Sequence, residues 1–324
     1  MIVITGAAGF IGSYVGHYLN AKGHKNLVLA DDFSSAIKAP NHQFIDAKAR
    51  IDRNKLNEWI TNHAKEITAV FHLGARTDTA EKNTALLNRL NLHYSQMIWT
   101  LCTRYNIPLL YASSAATYGA GEWGYSDDHA IIPKLKPLNP YGQSKQDFDT
   151  WVLQQTTTPP HWYGFKFFNV YGPNEYHKGR MASVIFHATR QIQETGHMQL
   201  FRSHRPDYAD GEQQRDFIYV KDIAELLCFF FEQKPSSGIY NAGTGNAETF
   251  LTLAHAVFEA LNKKPSIHFI DIPNDIRNTY QYFTEADMQK VRSVGYNKPF
   301  TSLKEGIKEY VCEYLIQHKN VIHF

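Results

Sequence analysis

The segment Thr5-Gly6-Ala7-Ala8-Gly9-Phe10-Ile11-Gly12 restricts what this chain can fold into more than any other stretch of it. A short apolar run, Met1 to Thr5, leads into the segment, and an amphipathic stretch, Ile11 to Lys22, follows. A G-x-x-G-x-x-G loop between strand and helix has a physical purpose. Its glycines tighten the turn, let backbone N–H groups approach a pyrophosphate, and let helix and strand pack closely. The positive end of the helix adds attraction for phosphate. Taken alone, the loop is also what any tight strand-to-helix turn looks like. Asp31 ends the next apolar run, at about the 20-residue interval of an acid that holds a ribose hydroxyl, and this favours dinucleotide binding.

The alternation continues. Asn26 to Asp31, Ala69 to Leu73, Leu109 to Ser113 and Trp162 to Phe168 read as strands, and Leu56 to Lys65, Leu86 to Tyr105 and Ser144 to Gln155 as helices between them. That order predicts an α/β fold, a Rossmann-type doubly wound parallel sheet. With 324 residues there is material for a second lobe. After Tyr171 the chain turns polar, passes through an expected loop at Ser203 to Gln214, and reaches the run Asp216 to Val220. Lys221 to Gln233 and Thr249 to Leu261 read as helices, and Ser302-Leu303-Lys304-Glu305 has capping-box spacing. The predicted division is a dinucleotide-binding domain over 1–170 with a return segment at 215–245. A smaller mixed α/β substrate-binding lobe takes 171–214 and 246–324.

Composition narrows the partners. A net charge of +2 and 20% charged residues make no general case for nucleic acid or membrane surfaces, so small molecules are expected. Cys102, Cys228 and Cys312 are odd in number and lack metal-ligand spacing; they read as core thiols, and no metal site is predicted. No basic leader precedes the first apolar run and no eighteen consecutive apolar residues occur, so a cytoplasmic protein is expected.

A second constellation carries chemistry: Tyr141-Gly142-Gln143-Ser144-Lys145, after Asn139-Pro140, with Ser113-Ser114 closing the preceding strand. Residues i and i+4 share a helix face, so the Lys145 ammonium can lie beside the Tyr141 phenol and favour its ionised form. A free phenol titrates near pH 10, and such help brings it toward use as a base on an alcohol. Ser114, at the carboxyl end of a parallel strand, is placed to hydrogen-bond the same alcohol oxygen. At the adenosine end, Asp31 and Asp32 favour NAD, whereas Lys38 and Arg53 suit a 2′-phosphate, and the residues alone leave NAD and NADP open.

Together these residues resemble the extended short-chain dehydrogenase/reductases. The run Phe167 to Ser183, which contains Asn169-Val170-Tyr171-Gly172-Pro173, His177-Lys178-Gly179 and Met181-Ala182-Ser183, resembles the ADP-L-glycero-D-manno-heptose 6-epimerase family more narrowly. So do Ser113 to Gly119 and Gly295 to Phe300, and the resemblance extends over nearly the whole chain. It implies Ser114, Tyr141, Lys145 and Lys178 as the catalytic set. It implies Gly6, Gly9, Phe10, Ile11, Gly12, Asp31, Asp32, Lys38, Arg53, Leu73, Gly74, Ala75, Asn91, Tyr141, Lys145, Val170 and Lys178 around the cofactor, which in that family is NADP. On the substrate side it implies Ser114, Asn169, Arg180, His187, Phe201, Arg215 and Tyr280. Asp32 and Arg180 depart from the family pattern, and the stretch Arg202 to Gln214 is longer than it.

The reaction so implied is oxidation of the heptose C6 alcohol to a transient ketone and return of hydride to the other face, on an ADP-linked heptose and in a homo-oligomer, with a pentamer among the implied assemblies. It would serve lipopolysaccharide synthesis. Physical reading of the residues adds that Arg180, His187 and Arg215 suit a sugar diphosphate and Tyr280 a base. A nucleotide-sugar 4,6-dehydratase needs an acid after the serine strand, where this chain has Ala115 and Ala116. A UDP-hexose 4-epimerase is the nearer alternative, and a noncatalytic dinucleotide-binding scaffold the remote one.

Overall fold

The computed structural model describes residues 1–277, 280–319 and 321–322. Seven strands make the large sheet: β1 (Ile2–Thr5), β2 (Leu27–Asp31), β3 (Ala49–Asp52), β4 (Ala69–His72), β5 (Leu109–Ser114), β6 (Trp162–Phe167) and, much later, β10 (Gly238–Ala242). Their order is β10-β6-β5-β4-β1-β2-β3, and every neighbouring pair is parallel. Successive side chains point to opposite faces, so the apolar runs feed two cores. Ile2 and Ile4 of β1, Phe71 of β4 and Leu110 of β5 pack in one with Val15, Leu19 and Phe230. Val3, Val70, Leu109 and Tyr111 pack in the other with Ile98, Trp99, Phe148 and Val152. A sheet covered on both faces by helices is the expected doubly wound arrangement.

Five strands are legible in the sequence as apolar runs; β3 and β10 are not. β3 is an edge strand reading Ala-Arg-Ile-Asp, in which charges alternate with apolar groups and half the residues face solvent. β10 is fully buried but short and begins on Gly238 after Ser236-Ser237, which reads as a turn. The expected helix Leu86 to Tyr105 is continuous but not regular: Thr84–Leu87 widens into a π-helical segment at Asn88–His93 before Tyr94–Arg104. The expected helix from Ser144 begins four residues sooner, at Pro140–Leu153, because Asn139 caps it through Gly142 N at 2.7 Å and proline is favoured at a first helical position.

Beyond the large sheet, β7 (Asn169–Tyr171), β9 (Gln214–Tyr219) and β11 (Ala247–Thr249) form a three-stranded sheet with β9 in the middle. β8 (Met198–Phe201) pairs with β12 (Ile267–Ile270). Helices Val220–Gln233 and Phe250–Ala260 lie within a residue of their predicted spans, and the Ser302/Glu305 capping box is formed. Cys102 and Cys228 are buried, while Cys312 is half-buried with its thiol on Ala260 O at 3.5 Å. No described helix is long and apolar enough to cross a membrane.

Candidate active site

Strand order reverses between β1 and β4, and the crevice at their carboxyl ends is where open α/β sheets bind ligands. Here the glycines act by absence of a side chain. A Cβ on Gly6, whose φ is +68°, would lie 2.5 Å from Gly74 Cα, so the loop after β1 and the second residue after β4 can only meet as glycines. A Cβ on Gly12 would run into the Gly6 carbonyl oxygen. Gly12→Ala is therefore expected to cost about 3 kcal/mol of stability by overpacking, read from urea unfolding; an unchanged midpoint would mean that the loop yields without cost.

The loop is knitted to the end of β2. Asp31 Oδ2 accepts from Ala8 N at 2.8 Å, and Oδ1 accepts from Asp32 N at 2.7 Å. Next to it, Asp32 accepts from Ser34 Oγ at 2.6 Å and lies 3.6 Å from the Arg53 guanidinium. The Ser34 hydrogen bonds, helped by Arg53 and Lys38, hold the Asp32 carboxyl below its ordinary range. A cleft of about 620 Å³ runs along this edge. Gly6, Gly9, Phe10, Ile11, Gly12, Asp31, Asp32, Lys38, Arg53, Leu73, Gly74, Ala75 and Lys178 all line it, as does Arg180, which the sequence reading places on the substrate side. A glycine cradle opening onto a carboxylate and two cations fits a pyrophosphate followed by a ribose.

β5 delivers Ser114, whose Oγ accepts from Ala116 N at 3.1 Å and starts the tight turn Ala115–Tyr118. The first turn of the Pro140–Leu153 helix is pressed against that turn: a Cβ on Gly142 would lie 2.8 Å from Ala116 O. Tyr141 is thereby buried beside Ser114. Burial pushes its phenol above the ordinary value, and the Ser114 hydrogen bond acts in the opposite sense. Lys145 is buried one turn on, and its Nζ donates to Ala112 O at 2.7 Å rather than to the phenol, since an ammonium out of water needs an acceptor. Burial pushes its pKa down to about 8, against a smaller upward pull from Asp149. Asn91 does not line the cleft; from the π-helical segment it donates to Ser144 Oγ at 2.9 Å and accepts from Arg76 N at 2.8 Å.

Lys178 arrives from the other half of the chain. Its segment is fastened to the glycine loop by two buried asparagines. Asn41 Nδ2 donates to Ala8 O at 3.2 Å and Asn174 O at 3.1 Å, and Asn174 Nδ2 donates to Ser13 Oγ at 2.9 Å. Lys178 Nζ then sits 5.3 Å from the centroid of the Phe10 ring. Burial lowers its pKa, and the carboxylate of Glu175 works against that.

Residues 2–243 match the model of the NAD dependent epimerase/dehydratase family. A relative from Fusobacterium nucleatum, an ADP-L-glycero-D-manno-heptose-6-epimerase, is 43% identical over 332 residues, which cover 99% of this chain and 100% of that one. The chain belongs to the NAD dependent epimerase/dehydratase family. The cofactor of this epimerase/dehydratase is accordingly a nicotinamide dinucleotide. Among solved structures, the Helicobacter pylori ADP-L-glycero-D-manno-heptose-6-epimerase superposes with TM-score 0.79 at 26% identity, covering 96% of this chain and 95% of that chain. A UDP-N-acetylglucosamine 4-epimerase from Methanobrevibacter ruminantium gives TM-score 0.82 at 22% identity, covering 98% of each chain, which speaks to the fold alone.

In this family member the remaining expected residues fall into separate places. Phe201, Arg215 and Tyr280 come together: the Arg215 guanidinium lies 5.3 Å from the Tyr280 ring centroid, and Phe201 meets Tyr280 edge-on at 5.8 Å. Arg215 also donates to Gln281 O, and Gln281 Nε2 reaches Gly119 O at 2.5 Å, tying the cluster to the turn after Ser114. Asn169 is exposed at the start of β7, Val170 beside it is half-buried, and His187 is an exposed residue of the Val184–Thr195 helix. Arg180 is exposed and donates to both Asp78 oxygens, at 3.0 and 3.2 Å. Sequence reasoning did not single out Asn41, Asp78 or the pair Asp149–Lys166. Only Asp149 left a signal, four residues after Lys145 on one helix face.

Proposed function

We propose that this chain interconverts ADP-D-glycero-D-manno-heptose and ADP-L-glycero-D-manno-heptose by inverting C6. The observation that carries the reading is two candidate acid–base groups on separate supports, Tyr141 beside Ser114 and Lys178 above Phe10, in a chain 43% identical end to end to a protein of that name. Inversion through a ketone needs a proton removed from the C6 alcohol and one given back after the carbonyl has presented its other face. Tyr141 takes the first while Ser114 holds the oxygen, and Lys178 supplies the second. Lys145 contributes positive charge behind the phenol. The dinucleotide, when bound, supplies the hydride acceptor and then the donor, so no net redox change occurs. Arg215, packed between Tyr280 and Phe250, lies in the region assigned to the nucleotide end of the substrate.

Incubation of the purified protein with ADP-D-glycero-β-D-manno-heptose, with C6 configuration followed by NMR, tests the assignment. Conversion is expected. Turnover of a UDP-hexose in its place would sink the heptose reading while leaving the hydride chemistry, and elimination of water would point to a dehydratase despite Ala115 and Ala116.

For the cofactor the reading is NADP. Lys38 and Arg53 supply two cations for a 2′-phosphate, and Asp32, 3.6 Å from Arg53, offsets one of them. Removing that carboxylate without changing its shape is expected to raise the NADP-over-NAD binding ratio of Asp32→Asn about tenfold. Titration calorimetry with both dinucleotides reads this directly, and an unaltered ratio would mean that no phosphate comes near Asp32.

A further inference from the structure

Among the described residues, Asp149 and Lys166 form the one ion pair with both side chains wholly shielded from solvent, Nζ to Oδ2 at 2.7 Å. The pair stands behind the proposed catalytic group rather than in it. Asp149 belongs to the helix that carries Tyr141 and Lys145, and Lys166 belongs to β6. Asp149 Oδ2 also accepts from Ser113 Oγ at 2.6 Å, and its Oδ1 accepts from Tyr111 OH at 3.2 Å, both on β5. Lys166 Nζ also donates to Thr117 Oγ1 at 2.8 Å, and Thr117 Oγ1 donates to Ser114 O at 2.8 Å. One buried network therefore joins the Tyr141 helix, the strand end that presents Ser114, and the turn that follows it.

Stability alone is a poor account of such a pair. Taking two charges out of water costs about as much as their attraction returns, and apolar residues of similar volume commonly fold as well or better. What apolar residues cannot do is fix three elements in one register and leave a carboxylate near Lys145. The groups recorded against Lys145 are Asp149 on its own helix, the Ala112 carbonyl on β5 and His72 on β4. Burial, aided by Lys145, pushes His72 down to about 3, so it is neutral. Asp149 is thus the countercharge, itself faced by Lys166 and Tyr111.

We propose that Asp149 and Lys166 are positioning residues for the epimerisation: their pair sets Ser114, Tyr141 and Lys145 relative to one another and keeps a negative charge beneath Lys145. This rests on the reading given under Proposed function, and the test separates the two.

Wild type, Asp149→Asn and the double variant Asp149→Leu/Lys166→Met are compared. The double variant removes both buried charges but leaves the Ser113 and Tyr111 hydroxyls without their acceptor, so it is expected to fold with a lowered thermal midpoint. In both variants kcat is expected to fall about tenfold to a hundredfold through misplacement of reacting groups, with KM changed less than about threefold. Without the carboxylate, Lys145 loses its proton at lower pH. The alkaline fall of kcat is then expected to move down by about one pH unit in Asp149→Asn, and so is the Lys145 Nζ midpoint read by NMR with isotope-labelled lysine, whereas in the double variant the loss of Lys166 offsets that shift. A folded double variant with wild-type kcat would overturn the proposal, and it decides the matter even if Asp149→Asn does not fold. Failure of wild type to convert the ADP-heptose would strike the substrate reading instead, because the Lys145 titration is read without turnover.

Discussion

Tyr141→Phe is expected to lower kcat for ADP-heptose epimerisation about a thousandfold or more, the scale of losing a positioned acid–base group. The ring keeps its place in the buried first turn of the Pro140–Leu153 helix, and only the hydroxyl beside Ser114 is lost. Stability is expected to fall by about 1 kcal/mol, the usual net worth of one hydrogen bond, with dinucleotide affinity little changed. Circular dichroism and dinucleotide titration on the same sample check that the loss is chemical. A variant that folds, binds the dinucleotide and turns over at the wild-type rate would remove Tyr141 from the reaction, and with it the assignment of Ser114 and Lys145.

Lys178→Met is expected to lower kcat about a hundredfold to a thousandfold. Methionine keeps an apolar stem above Phe10 but has no proton to give, while the Asn41 and Asn174 contacts that hold the segment are untouched. Burial without that charge leaves Glu175 with hydrogen bonds from Ser183 N at 2.6 Å and Ser183 Oγ at 2.7 Å, so the fold is expected to survive. Measuring both directions, from the D and the L epimer, tests the division of labour. Wild-type rates in both would leave Tyr141 serving each face alone and would remove the feature that separates this reading from a plain 4-epimerase.

Much of the site was legible because its signals are short-range. The glycine loop, Asp31 at the end of the next strand, and Tyr141 and Lys145 one turn apart are all local patterns, and each reports a backbone geometry that nearby residues enforce. The same logic found five of the seven strands, whose side chains are apolar because both faces are covered. It missed β3, where an edge strand alternates like a surface loop, and β10, the opposite edge, which is covered by Asp127, His129 and Lys290 from distant segments.

What the linear pattern determined, then, was the class of fold, the glycine-lined crevice and the placing of Tyr141 and Lys145 one turn apart on a helix, since periodicity and turn chemistry act over a few residues. Only the tertiary structure decided which charges meet. It set Arg53 on Asp32, Arg180 on Asp78, Lys145 on Ala112 O and Lys166 on Asp149, and it used Asn41 to fasten a segment more than a hundred residues away to the glycine loop. Those pairings join groups far apart in the chain, and the energy of each depends on burial and on the partner that the sheet order brings within about 4 Å; no local pattern encodes either.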